Sequence, residues 1–264
     1  MQDASYAIIG LGNIGRILVQ RLLAGPARPS QLVVCDSERP RTELVARESG
    51  VSAATLDDDA VSSADVLMIT TPPKAAQEVI RRLAPRMHPG QVVLSFAAAV
   101  PLQSIEDLVP PGVQVSRIMP NAPSLVGRGM NPVAFGVGVT AEAKARISAI
   151  LDELGEHLEV RDDQMNWCVG LSGAAMRSLL PALEGMTQAG IEAGLTAEDA
   201  RRVAAQVMLG TAALVLETGL SFDEIRALTP MQTVDEAALA ALYLEAARAA
   251  RDKIDQLQAK LSAG

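Results

Sequence analysis

The sequence has few cysteines, few aromatic residues and no excess of positive charge. Its 264 residues include two cysteines, Cys35 and Cys168, and neither has a cysteine or histidine neighbour at metal-ligand spacing. This usage argues against a disulfide framework and against a structural zinc site, so no metal is expected. The formal net charge is −8 and no block of five like charges occurs, so we do not expect a nucleic-acid partner.

Long hydrophobic runs are also missing. A membrane span needs about 18 consecutive apolar residues, and no run in the sequence reaches that length. The first residues lack the charged segment and cleavage pattern of a signal peptide. The sequence therefore predicts a cytoplasmic protein without a membrane partner.

The first 160 residues alternate between short apolar runs and helical patterns. The β-rich runs are, in chain order, "YAII", "QLVVC", "VLMIT", "QVVLSF", "VQVSRIM" and "VAFGVGV". Such alternation is typical of βαβ units and of a mainly parallel sheet covered on both faces. We therefore expect an α/β fold that begins with a doubly wound Rossmann domain, residues 1–162.

The second half has no strand signal. Helical segments follow Thr196, Ser221 and Thr233, each with an acidic residue three positions later, which predicts three capping boxes. An all-α domain is therefore expected over residues 163–264. Its last helices carry alanine and leucine on most sides, and such helices must be covered. A homodimer, or a higher homo-oligomer, through these C-terminal helices is the prediction.

The stretch "YAIIGLGNIGRILVQRLLAG", residues 6–25, places three spaced glycines between an apolar run and a helical pattern. In a dinucleotide site the first glycine permits the turn, the second lets the backbone approach the pyrophosphate, and the third allows close helix packing. A tight strand-to-helix connection can have the same spacing. The predicted cofactor-binding residues of this turn are Gly10, Gly12, Asn13, Ile14 and Gly15.

Two later features favour the dinucleotide site. Asp36 ends the next apolar run, where a carboxylate can accept a ribose hydroxyl and would repel a 2′-phosphate, so NAD is favoured. Arg39 and Arg41 follow and could reach a 2′-phosphate, which leaves NADP as the alternative. In "TTPPK", Thr71 and Pro72 are predicted to line the cofactor crevice, although a proline-stopped turn has the same pattern.

A more specific pattern is "RIMPNAPSLVGRGMNPV", residues 117–133, where Asn121 stands in a proline-rich loop after a strand. Together with "GLGNIG", "GLSG" and "AGIEAGLTAEDARRVAAQVMLGTAALVLETG", it resembles the pyrroline-5-carboxylate reductases over nearly the whole length. The resemblance implies an NAD(P)H-dependent oxidoreductase of proline biosynthesis that reduces the C=N bond of a cyclic imine to give proline. It also implies a Rossmann domain, a helical dimerisation domain and an active site between cofactor and dimer interface.

Two segments depart from the family pattern. "LSGAAMRSL" has Met176 and Arg177 where the family has small and aromatic residues, and "TPMQTV", residues 229–234, lacks the family's glycine pair and second threonine. A guanidinium at Arg177 could bind an acidic group of a small-molecule substrate, or it could form a surface ion pair. The predicted catalytic and substrate residues are Asn121, Ser172, Arg177, Gln232 and Thr233, and the resemblance also places Asn121 near the nicotinamide.

Structural roles remain open for two of these residues. Thr233 could be the N-cap of the last helix, and Asn121 could cap its own proline turn. Two other functions also fit the sequence: a Rossmann dehydrogenase of a keto or hydroxy acid, and a non-catalytic dinucleotide-binding regulatory protein. Imine reduction is preferred because it relies on positioning and needs no strong general acid, and no cleft lysine or histidine can be placed.

Overall fold

A computed structural model describes residues 4–262 of the chain. The chain divides into two compact units. The first unit runs to Gly173 and takes in the chain again from Ala247, and the second unit is Ala174–Ala246. The domain boundary expected after residue 162 stays a prediction.

One eight-stranded sheet forms the centre of the first unit. Its strands are β1 Ser5–Ile9, β2 Gln31–Cys35, β3 Ser52–Ala53, β4 Val66–Ile69, β5 Val92–Ser95, β6 Gln114–Ile118, β7 Gly129–Phe135 and β8 Gly155–Glu159. Their order is β3-β2-β1-β4-β5-β6-β7-β8. Neighbours from β3 to β6 are parallel, β7 is antiparallel to β6, and β8 is parallel to β7. The order of the first six strands is that of a Rossmann domain, which confirms the predicted fold class.

Helices cover both faces of this sheet. The helices that begin in the first unit are α1 Asn13–Ala24, α2 Arg39–Ser49, α3 Asp59–Ser62, α4 Pro73–Leu83, α5 Leu102–Glu106, α6 Ala141–Asp152 and α7 Met165–Cys168. Short 3-10 turns at Ala84–Arg86, Ala122–Val126 and Asp162–Gln164, and one π-helical turn at Val169–Ala174, join these elements. The remaining helices are α8 Ala175–Glu192, α9 Ala197–Glu217, α10 Phe222–Ala227 and α11 Glu236–Ser262, whose residues from Ala247 belong to the first unit.

The core consists of two layers that follow the two-residue period of the strands. Side chains packed with α1, α2 and α6 on one face include Ile8, Val34, Met68 and Leu94. Their neighbours packed with α3, α4, α5 and α7 on the other face include Ile9, Val33, Leu67 and Val93. Because both faces are buried, the strands are continuous apolar runs, and this is why they were recognisable in the sequence.

The far edge of the sheet differs from the prediction. The strand β7 begins at Gly129 and ends at Phe135, earlier than the run "VAFGVGV" indicated. The strand β8 was not predicted, because "GEHLE" is polar and mostly exposed at the edge of the sheet. An edge strand that is half solvated has only a weak hydrophobic pattern.

Two of the three predicted capping boxes are present as N-caps. Thr196 accepts a hydrogen bond from the Asp199 amide, and Ser221 exchanges hydrogen bonds with Glu224. The prediction for Thr233 is wrong: α11 begins at Glu236, and the carboxylate of Asp235 accepts the amide of Ala238 at 3.0 Å. Asp235 directly precedes the helix, so it occupies the N-cap position.

The second unit leaves much of its apolar surface exposed in the single chain. Large apolar side chains on its helices with over half of their surface exposed include Val207, Leu209, Leu216, Phe222 and Leu242. This exposure agrees with the expected covering of these helices by another chain. Among residues 4–262, no helix combines the length and the apolar character that crossing a membrane requires.

Two hydrogen bonds to the carboxylate of Asp65 connect the beginning of β1 to the residue that precedes β4. Asp65 Oδ2 accepts the amide of Ser5 at 2.7 Å and its hydroxyl at 2.8 Å. Burial would raise the pKa of Asp65, but these hydrogen bonds outweigh it, and the pKa lies below the ordinary value. The ionised form is therefore favoured in the folded state.

The stability that Asp65 contributes should depend on pH. It is complete above the unfolded-state pKa of about 3.9 and is lost as the pH falls through the lower folded-state pKa. We expect Asp65→Asn to lower the free energy of unfolding by roughly 1 kcal/mol at pH 7 and by much less at pH 3. Urea unfolding at pH 7, 5 and 3 measures this, with the exposed Asp59→Asn as control. An equal loss of unfolding free energy at all three pH values would contradict a stabilising role of the ionised Asp65 carboxylate.

Candidate functional site

The turn after β1 brings two segments of backbone into close contact. Gly10 has a φ of +102°, and a Cβ there would lie 2.8 Å from the amide nitrogen of Thr71. A Cβ on Gly15 would overlap the carbonyl oxygen of Gly10, and Thr70 Oγ1 donates to that same oxygen at 2.5 Å. Only glycine at these two positions allows β1, α1 and the end of β4 to pack this closely.

Gly12 is a glycine for a different reason. It has an ordinary φ of −69°, and a Cβ there would meet no atom within 4 Å. Gly12 is also the N-cap of α1, and no side chain caps the helix there. The first amides of α1 therefore lack a side-chain acceptor at a surface that is sterically open. Free amides at a helix N-terminus are suited to bind phosphate.

A cavity of about 850 Å³ opens in front of this turn, at the carboxyl ends of β1, β2, β4 and β5. Of the predicted cofactor residues, Gly10, Gly12, Asp36, Thr71 and Pro72 line it. Asn13, Ile14 and Gly15 lie beside it in the first turn of α1 and are not part of its lining. The hydroxyl oxygen of Thr71 is buried and has no hydrogen-bond partner in the described part of the chain. An open backbone, free amides and an unpaired hydroxyl fit a bound dinucleotide.

Several lining residues were missed in the sequence. They are Ser37 and Glu38 after β2, Thr55, Leu56 and Asp57 after β3, Phe96, Ala97 and Ala98 after β5, and Val79 and Arg82 on α4. Most of them directly follow a strand. Because ligands bind outside the carboxyl ends of parallel strands, the residues after each predicted strand could have been named.

Asp36 braces the glycine turn. Its Oδ2 accepts the amide of Leu11 at 2.7 Å, and its Oδ1 accepts the amide of Glu38 at 2.9 Å. Arg41 Nη1 lies 3.2 Å from both oxygens. Burial would raise the pKa of Asp36, but the amides of Glu38 and Leu11 and the Arg41 guanidinium together hold it below its ordinary value. The carboxylate is therefore ionised and faces the cavity.

Arg39 and Arg41, the two arginines that line the cavity after β2, are paired with carboxylates. Arg41 contacts Glu38 at 2.7 Å in addition to Asp36, and Arg39 contacts Glu43 at 2.9 Å. Three carboxylates therefore face two guanidinium groups at this end of the cavity. A 2′-phosphate would have to compete with these pairs for Arg39 or Arg41.

Asn121 and Ser172, two predicted substrate residues, lie together in the first unit. Asn121 Nδ2 donates to the carbonyl oxygen of Ser172 at 3.2 Å, and Asn121 Oδ1 accepts the amide of Met130 at 3.1 Å. The Ser172 hydroxyl donates to the carbonyl oxygen of Cys168 at 2.8 Å within the π-helical turn. The Asn121 side chain does not cap the turn that follows it, so that alternative is wrong.

The other predicted substrate residues belong to the second unit. Arg177 is exposed in the first turns of α8, which also carries Glu184. Gln232 and Thr233 are exposed in the segment before α11, where Gln232 Nε2 donates to the carbonyl oxygen of Val234 at 3.2 Å. No cluster of three potential metal ligands occurs within residues 4–262.

Two family models match the chain. The model described as NADP oxidoreductase coenzyme F420-dependent matches residues 5–99. The model described as pyrroline-5-carboxylate reductase dimerisation matches residues 162–257. The first covers the glycine turn and most of the cavity, and the second covers the helical half.

Curated relatives carry the same name as the second model. A pyrroline-5-carboxylate reductase of Mycobacterium tuberculosis is 32% identical over 220 residues, which is 81% of this chain and 74% of the relative. One of Corynebacterium melassecola is 28% identical over 265 residues, covering 96% of this chain and 98% of the relative.

Solved structures show the same fold along the whole chain. A pyrroline carboxylate reductase of Plasmodium falciparum with NADP bound matches with a TM-score of 0.82 at 17% identity, covering 98% of this chain and 99% of that one. A pyrroline-5-carboxylate reductase of Coxiella burnetii matches with a TM-score of 0.82 at 24% identity, covering 97% and 99%.

The glycines of the turn should respond differently to a single methyl group. Gly12→Ala should weaken NADH binding at least tenfold with little change in stability, because its Cβ would meet only the space in front of α1. Gly15→Ala should cost about 1–3 kcal/mol of stability, because its Cβ would overlap the Gly10 carbonyl. Fluorescence titration with NADH and thermal unfolding measure the two effects. Unchanged NADH affinity in Gly12→Ala would exclude this turn from the cofactor site.

Proposed function

The chain belongs to the pyrroline-5-carboxylate reductase family, and we propose that it reduces the C=N bond of pyrroline-5-carboxylate with NAD(P)H to give proline. The observation that carries this proposal is the cavity at the glycine turn, in which Gly12 and the uncapped N-terminus of α1 fit a dinucleotide. The 32% identical relative named for this activity supports the same reaction.

When bound, NAD(P)H would supply the hydride for the carbon of the C=N bond, whose protonated nitrogen would become a secondary amine. The chain would contribute binding and orientation: the first amides of α1 would hold the pyrophosphate, Asp36 would accept a ribose hydroxyl, and the unpaired hydroxyl of Thr71 would be a hydrogen-bond donor. A protonated imine needs no strong general acid from the protein, so catalysis rests on positioning.

The substrate residues proposed here are Asn121, Ser172, Arg177, Gln232 and Thr233. Asn121 and Ser172 are supported by their mutual hydrogen bond beyond the end of β6. Arg177 is supported by its exposed guanidinium, which can bind a carboxylate through two parallel hydrogen bonds. Such a contact would replace the backbone amides that a glycine pair in the loop of residues 229–234 could offer to the substrate carboxylate. In this chain Met231 and Gln232 occupy that loop.

We also propose NAD as the preferred cofactor. Asp36 is ionised, faces the cavity and already engages Arg41, while Glu43 engages Arg39. A ribose hydroxyl can donate to Asp36 without disturbing these pairs, whereas a 2′-phosphate would have to displace a carboxylate from Arg39 or Arg41.

For the helical half we propose homo-oligomerisation. The exposed apolar side chains of α8, α9 and α11 support a second copy of the chain as the covering partner. We further propose that residues 1–162 serve as the cofactor domain and residues 163–264 as the substrate and dimerisation domain.

Turnover across a substrate panel tests the proposed reaction. NADH or NADPH oxidation at 340 nm is followed with pyrroline-5-carboxylate, a six-membered cyclic imino acid and several 2-keto acids. We expect turnover with pyrroline-5-carboxylate and none with the keto acids. Turnover of keto acids alone would identify a dehydrogenase, and NADH binding without any turnover would identify a regulatory protein; either result would overturn the proposal.

Cofactor preference has its own test. We expect NADPH to bind at least tenfold more weakly than NADH, and Asp36→Ser to narrow that ratio, because it removes the buried negative charge and releases Arg41. The exposed Asp59→Asn, which removes one charge outside the cavity, should leave the ratio unchanged. Titration of both dinucleotides by fluorescence measures it. Equal or tighter binding of NADPH to the unmodified protein would contradict NAD preference.

Removal of the Arg177 guanidinium should weaken substrate binding. We expect Arg177→Ala to raise the Michaelis constant for pyrroline-5-carboxylate at least tenfold, equivalent to about 1.4 kcal/mol, with the Kd for NADH unchanged. Arg201→Ala, an exposed arginine of α9, serves as the control. An unchanged Michaelis constant would remove Arg177 from the substrate site.

A further inference from the structure

Arg117 is an arginine buried within the sheet, on a strand with neighbours on both sides. It lies in β6, pairs in register with Ser95 of β5, and has 1% of its surface exposed. Burial lowers the pKa of its guanidinium, against the raising effect of Asp162. Burying a charge costs free energy unless the charge is paired and hydrogen-bonded, so the partners of Arg117 indicate its role.

Its two terminal nitrogens bind two different parts of one segment. Nη1 lies 3.0 Å from Asp162 Oδ1, and Nη2 donates to Asn166 Oδ1 at 2.9 Å. Asp162 Oδ2 in turn accepts the amide of Leu102 at 3.0 Å, the first residue of α5. We call residues 162–173 the connector; they follow β8 and end the first of the two chain segments that form the first compact unit.

The last helix packs against the connector from outside. Asn166 Nδ2 donates to Asp255 Oδ1 and to Gln258 Oε1, both at 2.8 Å. A Cβ on Gly170 would lie 2.5 Å from the carbonyl oxygen of Ala247, so this approach requires glycine. The polar chain from Arg117 through Asn166 therefore fixes the connector between β6 and α11.

Asn121 holds the other end of the connector. It lies four residues after Arg117, and its side chain donates to the carbonyl oxygen of Ser172. Ser172 lies within a π-helical turn, Val169–Ala174, a conformation often found at functional sites. The strand β6, through Arg117, and the loop after it, through Asn121, thus bind the two ends of the connector.

We propose that Arg117 is a positioning residue of the reductase: through Asp162 and Asn166 it sets the connector, and with it Ser172 and Asn121, for hydride transfer. This inference rests on the proposed function. Arg117 does not line the cofactor cavity, so it acts through the connector and not through cofactor binding. An arginine is required because two donors on one rigid plane reach two acceptors, which a lysine amine cannot do.

The double variant Arg117→Met/Asp162→Asn provides the main test. It removes both members of the buried pair, so no unpaired charge is left behind, and such replacements are often tolerated. We expect cooperative unfolding, a Kd for NADH within twofold of the unmodified protein, and a kcat at least tenfold lower. Hydrogen exchange of residues 165–173 should become faster. Arg117→Lys, which retains the charge but reaches one partner, should give an intermediate kcat.

A matched control is the double variant Lys144→Met/Glu159→Gln. It also removes one positive and one negative group, an ion pair between Lys144 Nζ and Glu159 Oε1 at 3.0 Å on the exposed surface of α6 and β8. It should leave kcat and the exchange of residues 165–173 unchanged.

The outcomes separate this proposal from the proposed function. A folded Arg117→Met/Asp162→Asn protein with unchanged kcat would overturn the positioning role, as would unchanged exchange in the connector. If the unmodified protein does not reduce pyrroline-5-carboxylate, the proposed function fails on that result alone. Connector exchange still decides whether Arg117 sets the connector, because it is measured without substrate.

Discussion

The close approach of backbone to backbone at the first strand-to-helix turn is the constraint on which the cofactor half depends. Gly15 lies against the Gly10 carbonyl, Thr70 donates to that carbonyl, and Asp36 accepts the amide of Leu11. Together these contacts bring the N-terminus of α1 to the carboxyl edge of the sheet. The open surface at Gly12 and the cavity before it follow from that placement.

A second constraint operates where β6 leaves the sheet. The buried guanidinium of Arg117 must be neutralised and hydrogen-bonded: Asp162 of the connector supplies the opposite charge, and Asn166 accepts a second hydrogen bond and in turn donates to Asp255 of α11. The buried charge of Arg117 therefore orients the connector, since Arg117 and Asn121 contact opposite ends of it. Under the proposed roles, cofactor binding and the positioning of the reacting groups would depend on different strands of one sheet.

Much of the cofactor half could be predicted because its signals are local. Strands buried on both faces are continuous apolar runs, and the spacing of Gly10, Gly12 and Gly15 describes a turn within a few residues. The strand β8 could not be predicted, because its pattern is polar. The N-cap of α11 is Asp235, which directly precedes the helix, and not the predicted Thr233, which lies two residues earlier. The Arg117 contacts join residues 45 and 49 positions apart, and Asn166 donates to Asp255, a further 89 positions along the chain, which no local pattern encodes. The substrate residues Arg177, Gln232 and Thr233 stay predictions.

In the proposed reaction, a hydride passes from the bound dinucleotide to the carbon of a cyclic C=N bond. The most direct measurement is mass spectrometry of the product after incubation with pyrroline-5-carboxylate and NADH deuterated at the transferred position of C4. We expect proline one mass unit heavier, with the deuterium on the carbon of the former C=N bond. Proline without deuterium, or no proline at all while NADH remains bound, would contradict it.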